Sequence, residues 1–381
     1  MDEILNLIDK ERLFADSEHI YNIAEIGFNL TKTKEYVKKS LKEIGIEPMD
    51  CGRCGIKCVL GSENNERVLL LRADMDAIFI EGKGNMHACG HHMHTAMLLG
   101  AARVLKKLED RLNSCVVLMF QPAEEILEGA KDMIDSGILE SPKPNGAFMI
   151  HVSSGNTLPA GTVVFADAGE IAPSADFFTI KIKGKGCHGA DPSKGVDPVL
   201  TASHVVCALG IINSRELSCF EPAVITFGCV NGGNSANAIP EEVTLKGTVR
   251  SYSEENREFV KKRMEEITSD VCRALRCQSE IIYEGGCPPF LNDKELLNKI
   301  SGSAKKFLGE DKVVMLKDGQ KGGGSEDFAY VSRQIPTVMA SLAAGEISKG
   351  HKYPLHNPNV TFDKNARPVG SALMAHIALN Y

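Results

Sequence analysis

The stretch from Phe177 to Glu284 constrains the fold more than any other part of the chain. Its apolar periodicity runs strand (Phe177 to Lys183), helix (Pro198 to Asn213), strand (Ala223 to Asn231), strand (Glu242 to Ser251), helix (Glu254 to Leu275) and strand (Ser279 to Glu284). This βαββαβ order predicts a ferredoxin-like, split-βαβ unit. A unit of this length can carry its own core, and the Gly285-Gly286 and Pro288-Pro289 pairs read as a return linker. The chain around it has a different rhythm. Short apolar strands at Ile56 to Leu60, Val68 to Asp74, Ser114 to Gln121 and Ala147 to Val152 alternate with helical stretches at His92 to Leu108 and Ala130 to Ser136, as in an α/β sheet. At 381 residues the chain exceeds what one core usually serves. The expected division is therefore an α/β domain over 1–171 and 287–381, interrupted by an inserted domain over 172–286. Ahead of the sheet, two helices are expected, Asp2 to Ala15 and Ser17 to Ile44, the second broken near Gly27.

Charge and composition narrow the partners. The net charge is −7 and the basic residues are dispersed, so no footprint for nucleic acid or anionic lipid is expected. No apolar run approaches a membrane span. The N-terminus, MDEILNLIDKERL, opens acidic and amphipathic rather than with a basic start and an apolar stretch, which predicts a cytoplasmic protein. Twelve irregularly spaced cysteines read as reduced core thiols, not as a disulfide framework. Cys51, Cys54 and Cys58 lack the second CxxC that a zinc ribbon needs.

Four of the eleven histidines and one cysteine fall within His87-Ala-Cys89-Gly-His91-His92-Met-His94. A solvated helix start would explain polarity there, but the helix dipole disfavours protonated histidine at that end. Neutral imidazole with thiolate is the donor set that borderline divalent metals prefer. Cys89 and His91, two apart in an extended turn before a helix starting near His92, can point to the same side and chelate together. A second feature is Gln121-Pro-Ala-Glu124-Glu125, at the carboxyl end of an apolar strand, where α/β sheets keep their active sites. One carboxylate can ligate while its neighbour acts as base. His151, at a strand end, and His356, in Leu-His-Asn-Pro, carry little weight singly. The formal GxGxxG at Gly184-Lys-Gly186-Cys-His-Gly189 is not followed at once by a helix, so a dinucleotide site is not expected.

Taken in order, nine segments resemble the M20 metallopeptidase family, in its aminoacylase-like branch of N-acyl amino acid amidohydrolases. They are Leu71-Arg-Ala-Asp74-Met-Asp76-Ala, Met86-His-Ala-Cys89-Gly-His91, Gln121-Pro-Ala-Glu124-Glu125, Ile150-His151-Val, Gly184-Lys-Gly-Cys-His188-Gly-Ala, Asn237-Ala-Ile-Pro, Gly247-Thr-Val-Arg250, Gly324-Ser-Glu-Asp-Phe328 and Leu355-His356-Asn-Pro358. The resemblance implies a two-metal, exopeptidase-like catalytic domain with an inserted ferredoxin-like lid and dimerisation domain. It places Cys89, His91, Glu125, His151 and His356 on metal-ligand positions and Glu124 on the general acid/base position. His188 takes the position of a histidine that enters the partner's active site in a homodimer, and Asn237 and Arg250 take positions that approach substrate. The implied cofactors are two divalent ions, with zinc, manganese, cobalt or nickel all compatible with such donors. The implied substrate is a small N-acyl amino acid or short peptide, hydrolysed at its amide bond.

The chain also departs from the family pattern. His92 stands where an aspartate usually follows Gly-His, Tyr21 where an N-terminal histidine is common, and the stretch from Asp76 to Met86 is shorter than the family's. Asp76 and His92 are the residues expected just behind the ligands, where an acid normally orients an imidazole. The alternative these departures leave open is a metal-binding homologue with reduced or specialised activity.

Overall fold

The computed structural model describes residues 2–316 and 321–381, so residues 317–320 of the expected 287–381 segment lie outside the described residues. The chain divides into two compact units. The first comprises Met1–Ile171, Leu291–Lys321 and Asp327–Tyr381, and the second Ala172–Phe290 with Gly322–Glu326.

The first unit is built on an eight-stranded mixed sheet. In spatial order its strands are Met49–Cys51, Gly55–Leu60, Cys115–Gln121, Val68–Asp74, Gly146–Ser153, Thr337–Ala343, Val163–Phe165 and Val313–Met315. The middle of the sheet is parallel: Val68–Asp74 pairs in parallel with Cys115–Gln121 and with Gly146–Ser153, which in turn pairs in parallel with Thr337–Ala343. Val68–Asp74 and Cys115–Gln121 are buried at every residue, as parallel strands covered on both faces must be, and this explains their unbroken apolar runs. The helix His91–Lys107 crosses this core with every residue from His91 to Leu105 buried except Arg103. Between Ala96 and Ala102 its residues are apolar on every face, as in a helix that lies inside a protein.

The N-terminal helices differ from expectation. The first divides into Asp2–Leu7 and Lys10–Asn22, because the Asp9 side chain accepts the Arg12 N–H at 2.9 Å and starts a new helix. The expected second helix is reduced to Thr31–Lys42. Gly27 takes a left-handed φ of 56°, and Glu25 reaches forward to accept the Lys32 and Thr33 N–H groups at 3.2 and 2.9 Å. A side chain distant in sequence thus caps a helix that has no cap from its preceding residue. Between Asp76 and Met86 a short hairpin forms, Ile78–Ile80 against Gly84–Met86.

The second unit holds a four-stranded antiparallel sheet in the order Ala223–Gly232, Glu242–Ser251, Ala175–Lys183, Gln278–Cys287, with helices Pro198–Ile211 and Glu254–Ala274. Counted along the unit, the strands stand 2-3-1-4, the arrangement a split-βαβ produces. Its core gathers Phe178, Ile180 and Ile182 of one strand with Val205 and Leu209 of one helix and Val260 and Met264 of the other. Buried Arg257 binds both oxygens of Asp176, at 2.7 Å each. A small additional ladder, Cys187–His188 with Ala238–Ile239, is too short to show in apolar periodicity.

Candidate metal centre

The centre assembles at the carboxyl ends of the parallel strands of the first unit. Helix His91–Lys107 starts one residue earlier than expected, so His91 is its first residue and Cys89 stands just before it. Gly90 between them has a φ of 92°, and a Cβ there would lie 2.3 Å from Val152 Cγ2. Only glycine fits this turn. His356 is drawn to the same place by its backbone, whose N–H donates to Ala88 O at 3.0 Å.

Backbone carbonyls set the tautomers of two imidazoles. His91 Nδ1–H donates to Asp76 O at 2.9 Å, and His151 Nδ1–H donates to Val152 O at 2.8 Å. Each ring therefore turns the lone pair of Nε2 toward the cluster, as a metal-ligating histidine does when a carbonyl takes its other N–H. His151 Nε2 stands 3.6 Å from Cys89 Sγ. Glu125 Oε1 stands 3.7 Å from His91 Nε2 and 3.5 Å from His356 Nε2. Donor atoms of Cys89, His91 and Glu125 all lie within 4.8 Å of one another. His91 Nε2 and Glu125 Oε1 are buried and have no hydrogen-bond partner among the described residues.

These separations decide what the cluster can do. Ligand atoms roughly 2.0–2.3 Å from one tetrahedral ion stand about 3.3–3.7 Å from each other, too far apart for a good hydrogen bond. The pairs around Glu125 and Cys89 match that spacing, so the donor set fits a divalent ion. A second group, Asp74, His91, His94 and His151, is also close enough to hold one. In it, however, His94 is fully engaged: Nδ1–H donates to Asp74 Oδ1 at 2.6 Å and Nε2 accepts the Val152 N–H at 2.8 Å. Asp74 Oδ2 receives Arg72 at 2.7 Å. Burial opposes the charge of Asp74, but Arg72, His91 and His94 hold it well below the usual carboxylate range. Asp74 and His94 thus read as support behind the ligands rather than as ligands. Neither is among the site residues assigned from sequence, although both lie in segments that the sequence singles out, His87 to His94 and Leu71 to Ala77.

Asp76 is buried, which raises its carboxyl, and its two oxygens accept the N–H groups of Glu124 and Glu125 at 3.1 and 3.2 Å. This clamps a strained turn: Ala123, just before the two glutamates, has a φ of 54°, and His356 a φ of 65°. Two non-glycine residues thus hold left-handed backbone at one cluster, a costly conformation that the surrounding contacts must maintain. Glu124 is buried, with Oε2 3.8 Å from His91 Nε2. Burial alone would push the Cys89 thiol up, yet His91, His151 and His356 draw it down to about 6, toward the thiolate that metals bind. The Cys89 and Glu125 contacts raise His356 to about 10.

His92 packs elsewhere, its ring 5.0 Å from Tyr21 and 5.5 Å from both His87 and Phe362. Two departures from the family pattern are therefore neighbours in space. His188, Asn237 and Arg250 belong to the second unit. His188 pairs with Ala238, and Gly189 N–H donates to Asn237 O at 2.7 Å, so the first two share one ladder. Arg250 donates to Ser325 Oγ.

A family model described as Peptidase family M20/M25/M40 matches residues 70–380. The chain belongs to that family. Over 373 residues this M20 chain is 33% identical to the N-acetyl-L-cysteine deacetylase of Bacillus subtilis, spanning 95% of the chain and 86% of that protein. It is 30% identical over 371 residues to the N-acetyldiaminopimelate deacetylase of Bacillus velezensis, spanning 94% and 96%. Among solved structures, a dinuclear metal binding peptidase of the M20 family from Bacillus subtilis superposes with a TM-score of 0.79 at 28% identity, covering 97% of this M20 chain and 98% of that one.

Proposed function

We propose that this M20 chain is a metal-dependent amidohydrolase that cleaves the amide bond of an N-acyl amino acid, releasing a carboxylic acid and an amino acid. The observation that carries the reading is the pair His91 Nε2 and Glu125 Oε1: two buried polar atoms 3.7 Å apart, neither with a hydrogen-bond partner among the described residues, with Cys89 beside them. Buried polar atoms left unpaired cost stability, and a shared ion is what relieves that cost here. Relatives that deacetylate N-acetylcysteine and N-acetyldiaminopimelate support the substrate class.

In this reading Cys89, His91, Glu125, His151 and His356 hold two divalent ions. When bound, the ions supply Lewis-acid polarisation of the amide carbonyl and a water of lowered pKa. Glu124, buried and close to His91, takes the proton of the attacking water and returns it to the leaving amine. Asp76 holds the Glu124-Glu125 turn so that both carboxylates keep their separate tasks. His188 is exposed, and its Nδ1 accepts the Ala190 N–H at 3.1 Å, leaving Nε2–H as a donor. That tautomer suits an oxyanion donor, and we assign it that role in the active site of a second copy. Asn237 and Arg250 are assigned to substrate contact.

Homodimerisation through the second unit is supported by its edge strand Ala223–Gly232, which exposes Val224 and Val230 and has a sheet neighbour on one side only. A cytoplasmic location is supported by twelve free cysteines, eight of them buried as thiols rather than bridged.

The test is hydrolysis of a panel of N-acetylated amino acids, read by release of free amine, with metal-reconstituted protein, chelated protein and Glu124→Ala. Turnover by the reconstituted protein alone is expected. Equal inertness of wild type and Glu124→Ala at full metal occupancy would leave a metal-binding homologue instead.

A further inference from the structure

The first unit contains an open cavity, of about 440 Å³, that holds none of the candidate ligands. Its wall includes Phe14, Ser17, Tyr21, His92, Phe362 and Arg367. Three polar atoms on that wall, Ser17 Oγ, His92 Nδ1 and Arg367 Nε, are buried and have no hydrogen-bond partner among the described residues. Ser17 is 0% exposed and His92 3%. Orphaned polar atoms are uncommon in folded proteins, and these three lie in wall residues, just behind the surface that an occupant would touch.

The charge of the wall says what kind of group that is. Arg367 makes no ion pair within 4.0 Å among the described residues, and burial lowers it to about 10 even though Glu18 and Asp363 act in the other direction. Its guanidinium lies 5.8 Å from the centre of the Phe14 ring, and the Lys364 ammonium, also without an ion pair among the described residues, lies 5.4 Å from the same ring. Glu18 is the one carboxylate on the wall, set against two cations. An unpaired, partly desolvated guanidinium is a ready binder of a carboxylate. The remaining wall is aromatic and aliphatic: Phe14, Tyr21, Phe362 and Val360. A concave, mainly apolar site with a few converging polar groups is the usual form of a small-molecule pocket, and the volume is in the usual range.

We infer that this cavity binds a small aromatic carboxylate, with its acid group on Arg367 and Lys364 and its ring among Phe14, Tyr21 and Phe362. The site is distinct from the metal centre and does not depend on the function proposed for it. The two are nevertheless joined through one side chain. A Cβ on Gly90 would lie 3.3 Å from the Phe362 ring, so the wall of the cavity packs directly on the turn between Cys89 and His91.

The probe is 4-bromophenylacetate, titrated calorimetrically into the purified protein before and after chelation, and soaked into crystals so that bromine scattering locates it. Benzyl alcohol and inorganic phosphate serve as the ring without the acid and the anion without the ring. Expected are saturable binding that survives chelation, weaker binding of both controls, and bromine among Phe14, Tyr21 and Phe362. Arg367→Gln should weaken binding by about tenfold or more, equivalent to ~1.4 kcal/mol. Lys364→Gln, at an exposed position, should weaken it less and keeps the test valid if Arg367→Gln folds poorly. Loss of binding on chelation, bromine at Cys89, His91 and Glu125, benzyl alcohol binding as well as the acid, or no binding up to about 10 mM would each overturn the proposal.

Discussion

Asp76 accepts the backbone N–H of Glu125 on one carboxylate oxygen, at 3.2 Å, while its other oxygen takes that of Glu124. A carboxylate just past the end of the strand Val68–Asp74 thus sets the direction of two adjacent glutamates with different proposed tasks. Asp76→Asn puts an N–H₂ donor against one of these N–H groups and should loosen the turn. We expect metal affinity or kcat/KM to fall about 10–100-fold, the usual cost of removing a group behind a ligand. Metal titration and steady-state kinetics on the folded variant check this. An unchanged variant would mean that Ala123 and its neighbours hold the turn unaided.

Glu124→Ala should separate chemistry from metal binding. Activity is expected to drop by about 10²–10⁴-fold, the range for loss of a positioned acid/base, while metal content stays at the wild-type value. Glu125→Ala should instead lose metal. Elemental analysis beside kinetics distinguishes the two, and loss of metal in Glu124→Ala would reassign it as a ligand.

Metal removal should lower thermal stability. A ligand bound to the folded state alone stabilises it by about 4 kcal/mol at a concentration a thousandfold above its Kd. The melting temperature of chelated protein should therefore rise with added zinc or manganese, and in the His91→Ala variant much less so. An identical response in wild type and variant would place the ions elsewhere.

The second unit offers a test of stability independent of the metal. Asp176→Ala strips buried Arg257 of its bidentate partner. Removing one half of a buried pair costs about 3–5 kcal/mol, and the lower end is expected because Glu254 remains 2.8 Å away. Denaturant unfolding followed by circular dichroism reads the effect. A change within error would show that Glu254 compensates fully.

Thiol reactivity should divide by burial. Desolvation pushes Cys54 and Cys115 up to about 11 and Cys58 up to about 12, so these thiols stay protonated at pH about 8 as well as being shielded. Cys207, Cys219 and Cys229 are exposed. Mass spectrometry after brief alkylation should find label on the exposed three, with Cys54, Cys58 and Cys115 unlabelled until denaturant is added. Early labelling at Cys58 would contradict the packing described.

Much of this was legible beforehand, for identifiable reasons. The central strands announce themselves because burial on both faces demands unbroken apolar runs, and the inserted unit because its helices and strands follow one another in a fixed order. The histidine and cysteine segment was visible because its donors are close in sequence. What escaped depends on contacts between distant residues. Glu25 capping Thr31–Lys42, His94 tied to Asp74 and Val152, and the two-residue ladder of His188 have no local signature. Tyr21 and His92 could each be seen as departures, but that they touch is a property of the fold alone.

The helix that opens with His91 lies inside the core for nearly all its length. Its first residue therefore has no softer mode of motion than the interior itself. Heat should not free His91 ahead of the rest; its loss from the site and collapse of the first unit's core should arrive at the same temperature.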